Sequence, residues 1–492
     1  MIDFENYYLN PILGGDYADP SVLRDGNDYY MTHSAFMYGP GLLIWHSQDL
    51  VNWEPVCNAN EGFEGNIWAP EFIKYQDNFY IYYYADSTNW VISAPNVKGP
   101  WCKPVKIDLW YIDPGHAFDD EGNRYLFFDR HFVKLTDDGM ALDGELMDSY
   151  GGWEIPEDFV VEYGFGVMTY ESSKITRKGE YYYITTAQGG TAGPSTGHMV
   201  ISARAKSLLG PWENSPYNPI IRTQHKSEKW WSKGHGTLVD TPEGDWYIMY
   251  HAYEKGFHTL GRQTLLEPIE WTEDGWFKTK DSTELDKPIL KPNGSAVAHG
   301  ITLSGGFEGP DLGLQWRFFR EHDKSRYCLV DNILQLKAQG STLEDSAPLL
   351  CIPMDHSYEV SVDVEIGDGN QAGLALYYSP DCFCSIALSD GEIIISKKPG
   401  RGLVKSKMPF SSKQVTLKIT NDCHDTIFHY REQNGVWKKA SIAFETSGYN
   451  HNVFDDFVSL RVGLFSVGKG EARFHNFEYF ARRMRNVEWF KK

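Results

Sequence analysis

Three acidic residues carry the chemistry this chain is equipped for: Asp19 in YADPSV, Asp113 in YIDPGH and Glu171 in TYESSK. They are far apart in sequence, yet each accompanies an aromatic-rich segment of the same kind. A repeat fold that closes on itself would bring all three to one centre. Carboxylates converging on a pocket suit cleavage of a glycosidic bond, which builds positive charge at the anomeric carbon and negative charge on the leaving oxygen. One protonated carboxyl must serve that oxygen, and one ionised carboxylate must activate water. A third carboxylate beside the acid raises its proton affinity, and a cation beside the base keeps the base ionised. Each residue also has a plain structural role open to it, since Asp before Pro commonly opens a turn and Glu171 alone suits an exposed strand. The matched Asp-Pro pair together with a third carboxylate favours a site.

The elements that must position these residues recur. GNDYYMTHS (26–34), DNFYIYYYADS (77–87), GNRYLFFDR (122–130), GEYYYITTAQ (179–188) and GDWYIMYHAY (244–253) each join a small turn to an aromatic-dense strand. With Tyr29, Phe79, Tyr125, Tyr181 and Trp246 as markers, the spacings are 50, 46, 56 and 65 residues. Five copies at blade-sized intervals predict a five-bladed β-propeller. Turn signals interrupt the chain at short intervals and helical periodicity is nearly absent, so the fold class is all-β. After WTEDGWFKT the pattern stops in a Pro-, Gly- and Ser-rich stretch (287–306). Beyond it, YEVSVDVEI, AGLALYY, SLRVGLFSV and ARFHNFEYF alternate apolar and polar residues with period two, which predicts a β-sandwich. The expected domains are a propeller over 1–295 and a sandwich over 307–492.

The chain has 492 residues, 15% of them aromatic, and a formal net charge of −21. Such a charge disfavours nucleic acid and anionic membrane as partners and is compatible with a neutral oligosaccharide. A homo-oligomer is left open. Seven scattered cysteines suit free thiols in a reducing compartment. No signal-peptide pattern opens the chain, and a cytoplasmic location is the expectation. Gly193-Pro194-Ser195-Thr196-Gly197 fits the GxSxG pattern of serine hydrolases, but a strand rather than a helix is predicted after it, against a nucleophile elbow. His235 has no Asp, Glu or His beside it in sequence, and its default role is a hydrogen-bonded core imidazole. Gly234 and Gly236 are expected to let it approach a central axis.

Seven ordered motifs resemble those of glycoside hydrolase family 43 over the whole chain: YADPSVLRDGNDYYM, SAFMYGPGLLIWHSQDLVNW, NIWAPEFIKYQDNFYIYY, YIDPGHAFDDEGNRYLFF, YESSKITRKGEYYYITTAQGGT, KGHGTLVDTPEGDWYIMYHA and LGRQTLLEPIEW. The resemblance is in particular to β-xylosidases and α-L-arabinofuranosidases with a C-terminal sandwich. It implies an exo-acting, inverting hydrolase releasing terminal pentoses, with Asp19 as general base, Glu171 as general acid and Asp113 as the residue that tunes and orients the acid. It further implies that Arg262 neighbours these carboxylates, that Phe36 and Trp68 shape the sugar pocket, and that His235 lies near a channel where related enzymes often hold a water-coordinated calcium ion. A sandwich loop carrying Phe454 and Phe457 is expected to close the pocket. Ser172-Ser173 replace the Gly-Pro or Ala-Pro that commonly follows the catalytic Glu. An arabinan- or galactan-directed enzyme of the same fold, or a non-catalytic sugar-binding propeller, are the alternatives.

Overall fold

The structure is a computed structural model that describes residues 3–156, 169–281, 283–400 and 402–482. Among the described residues, the first 300 form five antiparallel sheets of four strands in sequence order, one carrying an added short strand, and a two-stranded pairing of Tyr7–Tyr8 with Ile289–Leu290. Their first strands are Ser21–Asp25, Trp68–Tyr75, Gly115–Phe118, Tyr170–Lys178 and Trp230–Asp240. Their second strands are Asp28–Thr32, Asn78–Ala85, Arg124–Phe128, Tyr181–Gln188 and Trp246–Glu254, and all five aromatic markers fall in these. This is the expected five-bladed propeller. The hairpins form where the sequence supplies turn chemistry: Gly26, at φ 67°, turns the chain between the first two strands of blade 1. Blades stack through apolar clusters, such as Leu42, Ile44, Phe72, Ile81 and Tyr83 between blades 1 and 2.

Blades are also stitched around the axis by polar contacts on their first strands. Ser21 Oγ donates to Glu71 Oε2 at 3.2 Å, and the His116 amide donates to Glu71 Oε1 at 3.2 Å. Lys174 Nζ donates to Glu71 Oε2 at 2.6 Å, to the Pro70 carbonyl at 2.8 Å and to the Pro114 carbonyl at 3.4 Å. Thr185 Oγ1 donates to the Gly236 carbonyl and Thr237 Oγ1 to the Pro20 carbonyl, at 2.8 and 2.9 Å. The circuit passes through every blade.

The second unit comprises Ile301–Lys492 together with Tyr38–Pro40 and Gly256–Gly261. Among its described residues two antiparallel sheets carry the strands, eight in one and seven in the other. Ser357–Ile366 alternates in burial with period two, as its sequence predicts. Phe454 packs against Tyr378 and Tyr449, and Phe457 against His451, within this unit. Two short segments from within 1–295 group with this unit: Tyr38–Gly39 pairs with Phe318 and Phe319 as an edge strand, and Phe257 stacks on His356 at 3.8 Å. Backbone pairing and ring stacking recruit these short segments, and neither leaves a periodic trace in sequence. All seven cysteines are free, and the GxSxG segment leads into the strand Met199–Ala205. No helix of the described residues is long and apolar enough to cross a membrane.

Candidate active site

The first strand of each blade starts at the same end of the propeller, and there the regular ladder breaks. Register shifts fall between Trp68 and Glu71 in blade 2, between Glu171 and Lys174 in blade 4, and on both sides of Gly234 in blade 5. Asp19, Asp113, Ser172 and His235 all have positive φ, between 55° and 60°. A side chain with a Cβ occupies that region at a cost of about 1–3 kcal/mol, and the surrounding structure must over-determine it. Bulges and left-handed residues re-aim side chains, here from the blade faces into the central channel. The blade-to-blade contacts of Glu71 and Lys174 lie directly behind these breaks and hold them.

Three carboxyl groups meet at His235. Its Nε2 is 3.0 Å from Glu171 Oε1 and 3.7 Å from Asp113 Oδ2, while its Nδ1 is 3.4 Å from Asp19 Oδ1. Arg262 Nη1 donates to Asp19 Oδ1 at 2.9 Å, and Ser34 Oγ donates to Asp19 Oδ2 at 2.5 Å. His251 Nδ1 lies 2.8 Å from Asp19 Oδ1. Asp19, Asp113, His235 and Arg262 are buried, and Glu171 is partly so.

Burial pushes the Asp19 carboxyl up, but Arg262, His235 and His251 outweigh it and hold Asp19 well below the usual carboxylate range. It is ionised at neutral pH, as a base must be. Asp113 goes the other way: burial, reinforced by the charges of Glu171 and Asp19 against the opposing pull of His235, raises it to about 8. Asp113 is thereby biased towards its neutral form, where the sequence led to the expectation of a negative charge. Burial lowers His235, but Asp19, Glu171 and Asp113 more than compensate and raise it. Groups this close titrate as a set, with protons belonging to the cluster.

Every sequence-predicted site residue is described. Asp19, Asp113, Glu171, His235 and Arg262 come together. Phe36 is 2% exposed and lies beneath Arg262, whose guanidinium is 5.3 Å from the ring centre. Trp68 heads the first strand of blade 2 with its ring tilted on Tyr84 at 5.6 Å. Neither Gly234 nor Gly236 has a positive φ. The positive φ belongs to His235 itself, and Gly234 makes room for His198, whose ring a Cβ there would meet at 2.4 Å.

His198 and His251 were missed, as were Ser34, Glu71 and Lys174. The isolation of His235 in sequence was misleading, because His198 and His251 lie 5.6 and 5.0 Å from it, ring centre to ring centre. A topological signal was available: His251 lies in the second half of a second strand and His198 precedes a third, and both positions fall towards the end where first strands begin.

The group the resemblance attached to His235 is calcium. Two sets of donors could surround a cation, Asp19 with His235 and His251, and Glu171 with His198 and His235. Each set uses a carboxylate to which the resemblance assigns acid or base work. A cation leaving acid and base free would be held by the His235 imidazole and by water, which suits a hard ion taking mostly water oxygen. Among the described residues no hydrogen bond is made to His235 Nδ1 or to either His198 ring nitrogen; Asp19 Oδ1 lies 3.4 Å from the first and Glu171 Oε1 3.5 Å from His198 Nε2.

An ionised carboxylate and a second carboxyl group beside opposite nitrogens of one imidazole, in the channel of a five-bladed propeller, fit acid–base hydrolysis. The profile of glycosyl hydrolases family 43 matches residues 8–277, and that of the beta xylosidase C-terminal concanavalin A-like domain matches residues 304–481. The chain belongs to glycosyl hydrolases family 43 and is a glycoside hydrolase. It is 26% identical to a non-reducing end alpha-L-arabinofuranosidase of Bacteroides ovatus, over 96% of this chain and 94% of that protein. It is 28% identical to a beta-xylosidase of Bacillus subtilis, over 93% and 94% respectively. Among solved structures, a family 43 protein of Bacillus licheniformis superposes with a TM-score of 0.86 at 27% identity, covering 97% of this chain and all of that one.

Proposed function

We propose that the protein is an exo-acting, inverting glycosidase that removes terminal β-D-xylose or α-L-arabinofuranose from short plant-polysaccharide oligosaccharides. The observation that carries this is the disposition of Asp19 and Glu171 on the two nitrogens of His235. Contacts of 3.4 and 3.0 Å and the width of a ring separate them, on the scale of the roughly 6.5–9.5 Å that leaves room for a water beneath the sugar. The names of the relatives support the pentose.

Asp19, kept ionised by Arg262 and His251, takes a proton from water as the water oxygen bonds to the anomeric carbon. The bond to the leaving oxygen breaks, and Glu171 gives that oxygen its proton. One water is consumed, and base and acid end with exchanged protonation, which solvent restores. His235 orients both carboxyl groups. A calcium ion held by His235 and water would add positive charge near the carboxylates and favour their ionised forms.

Release of p-nitrophenol from the β-xyloside and the α-L-arabinofuranoside, with proton NMR of the first-formed sugar, tests the proposal. Turnover with inverted configuration is expected. Retention would assign Asp19 the part of a nucleophile, turnover only of arabinan or galactan oligosaccharides would move the substrate class, and binding without turnover would make the propeller a lectin.

A further inference from the structure

Trp110 stands out among the described residues: it is the one tryptophan among the exposed large apolar side chains, at 68% exposure. Its ring is not loose. It stacks on Tyr111 with centres 4.2 Å apart and planes 23° apart, and Tyr111 lies against Phe128 at 6.1 Å and His131 at 5.1 Å. The backbone beneath is pinned by Asn89, whose side-chain amide donates to the carbonyls of Leu109 and Tyr111 at 2.9 and 2.7 Å. An exposed aromatic held flat and rigid loses little entropy on binding a partner.

Topology puts this ring beside the reaction. Trp110 lies in the connection that leaves the outermost strand of blade 2, Val105–Ile107, and enters blade 3 at Asp113. Phe128 and His131 flank the turn between the second and third strands of blade 3, at the same end as Asp113. Asp113 is three positions after Trp110, so their Cα atoms are at most about 11 Å apart, a distance that one or two sugar rings cover. Blade 3 neighbours blade 4, which supplies Glu171, and does not neighbour blade 1, which supplies Asp19. In an inverting displacement water attacks from the side of the base and the leaving group departs on the side of the acid. The rim around Trp110 is therefore on the leaving-group side.

We propose that Trp110, backed by Tyr111, is a stacking platform for a sugar ring on the leaving-group side of the scissile bond, so that the enzyme favours oligosaccharides over simple glycosides. This rests on the exo-acting pentosidase reading. The chemistry is that of an indole face against the C–H face of a pyranose or furanose, which needs no charge and suits a neutral substrate.

The test compares Trp110→Ala and Trp110→Phe with the parent on the glycosyl fluoride of the accepted pentose, whose leaving group is one atom, and on its di-, tri- and tetrasaccharides. For Trp110→Ala, KM on the trisaccharide should rise roughly 3- to 10-fold more than on the fluoride, the worth of one aromatic contact. Trp110→Phe should recover part of the loss. Equal changes on fluoride and trisaccharide, or no change on the trisaccharide, would overturn the platform. A changed sedimentation coefficient without chain-length dependence would also overturn it and assign the ring to contact with a second copy. The parent reports on the underlying reading separately: if it cleaves neither fluoride nor disaccharide, the pentosidase assignment fails whatever the variants do.

Discussion

The propeller and the sandwich are both antiparallel β, yet they use regularity in opposite ways. In the sandwich, Ser357–Ile366 alternates buried and half-exposed residues along nearly its whole length, and its core is made by residues such as Leu417, Val362 and Leu464, all fully buried. In the propeller, Trp230–Asp240 is buried almost throughout, contains Lys233 and His235, and slips register twice. The difference teaches that catalytic groups sit where the ladder fails. A regular strand sends alternate side chains to two faces, and neither face of a blade is the channel. Only bulges and left-handed residues turn a carboxylate inward, and the polar circuit through Glu71 and Lys174 keeps them so.

The sharpest way to break this comparison is to remove a group at an irregular position. Asp19→Asn and Glu171→Gln should each lower kcat by about 10²–10⁴-fold while the chain stays folded, since general acid or base assistance is typically worth that much. Glu171→Gln should lose less on a dinitrophenyl glycoside than on a disaccharide, because that leaving group needs no proton. Equal losses on both would remove Glu171 from the acid's role.

Next in size is the support behind the breaks. Lys174→Met leaves Glu71 buried without its cation, and breaking such a pair costs about 3–5 kcal/mol. Displacing the carboxylates by as little as an ångström can cost up to about 10²-fold in rate. The expected outcome is a lower kcat with little change in KM, partly restored in the Glu71→Gln, Lys174→Met double variant. Parent-like kcat in a folded single variant would detach the circuit from catalysis.

The reverse experiment belongs to the sandwich. Leu417→Ala should cost about 2–5 kcal/mol, read as a lower melting temperature, with kcat retained at a temperature where the variant is folded. A smaller effect distinguishes two carboxylates within the propeller. Asp113 is raised to about 8, so its favourable contribution is complete below the unfolded value of about 3.9 and is lost as pH rises towards 8. Asp113→Asn should therefore gain melting temperature relative to the parent as pH goes from 5 to 8, by about 2–4 °C for each kcal/mol. Asp19 is lowered, so its contribution is present above about 3.9 and lost on acidification, and Asp19→Asn should lose stability at neutral pH. The smallest expected change is chelation: the rate should fall modestly, calcium should restore it, and the product's anomeric form should not change. An unchanged rate at confirmed metal depletion would leave His235 as a purely hydrogen-bonding residue.

The aromatic repeat made the five blades legible before any coordinates, because each second strand must bury rings against its neighbours and the chain marks each copy with Tyr29, Phe79, Tyr125, Tyr181 or Trp246. Period-two alternation did the same for the sandwich, and three carboxylates in matching positions pointed to the channel. What sequence alone could not decide is local and three-dimensional. His198 and His251 join His235 only because separate strands end at one mouth, and Lys174 reaches Glu71 across 103 residues of chain. Tyr38–Gly39 leaves the propeller's count for the sandwich's sheet through backbone pairing that no side-chain pattern encodes. The upward shift of Asp113 follows from burial and from its proximity to Glu171, Asp19 and His235, and electrostatic energy depends on separation and solvent exclusion, which a one-dimensional chain does not contain.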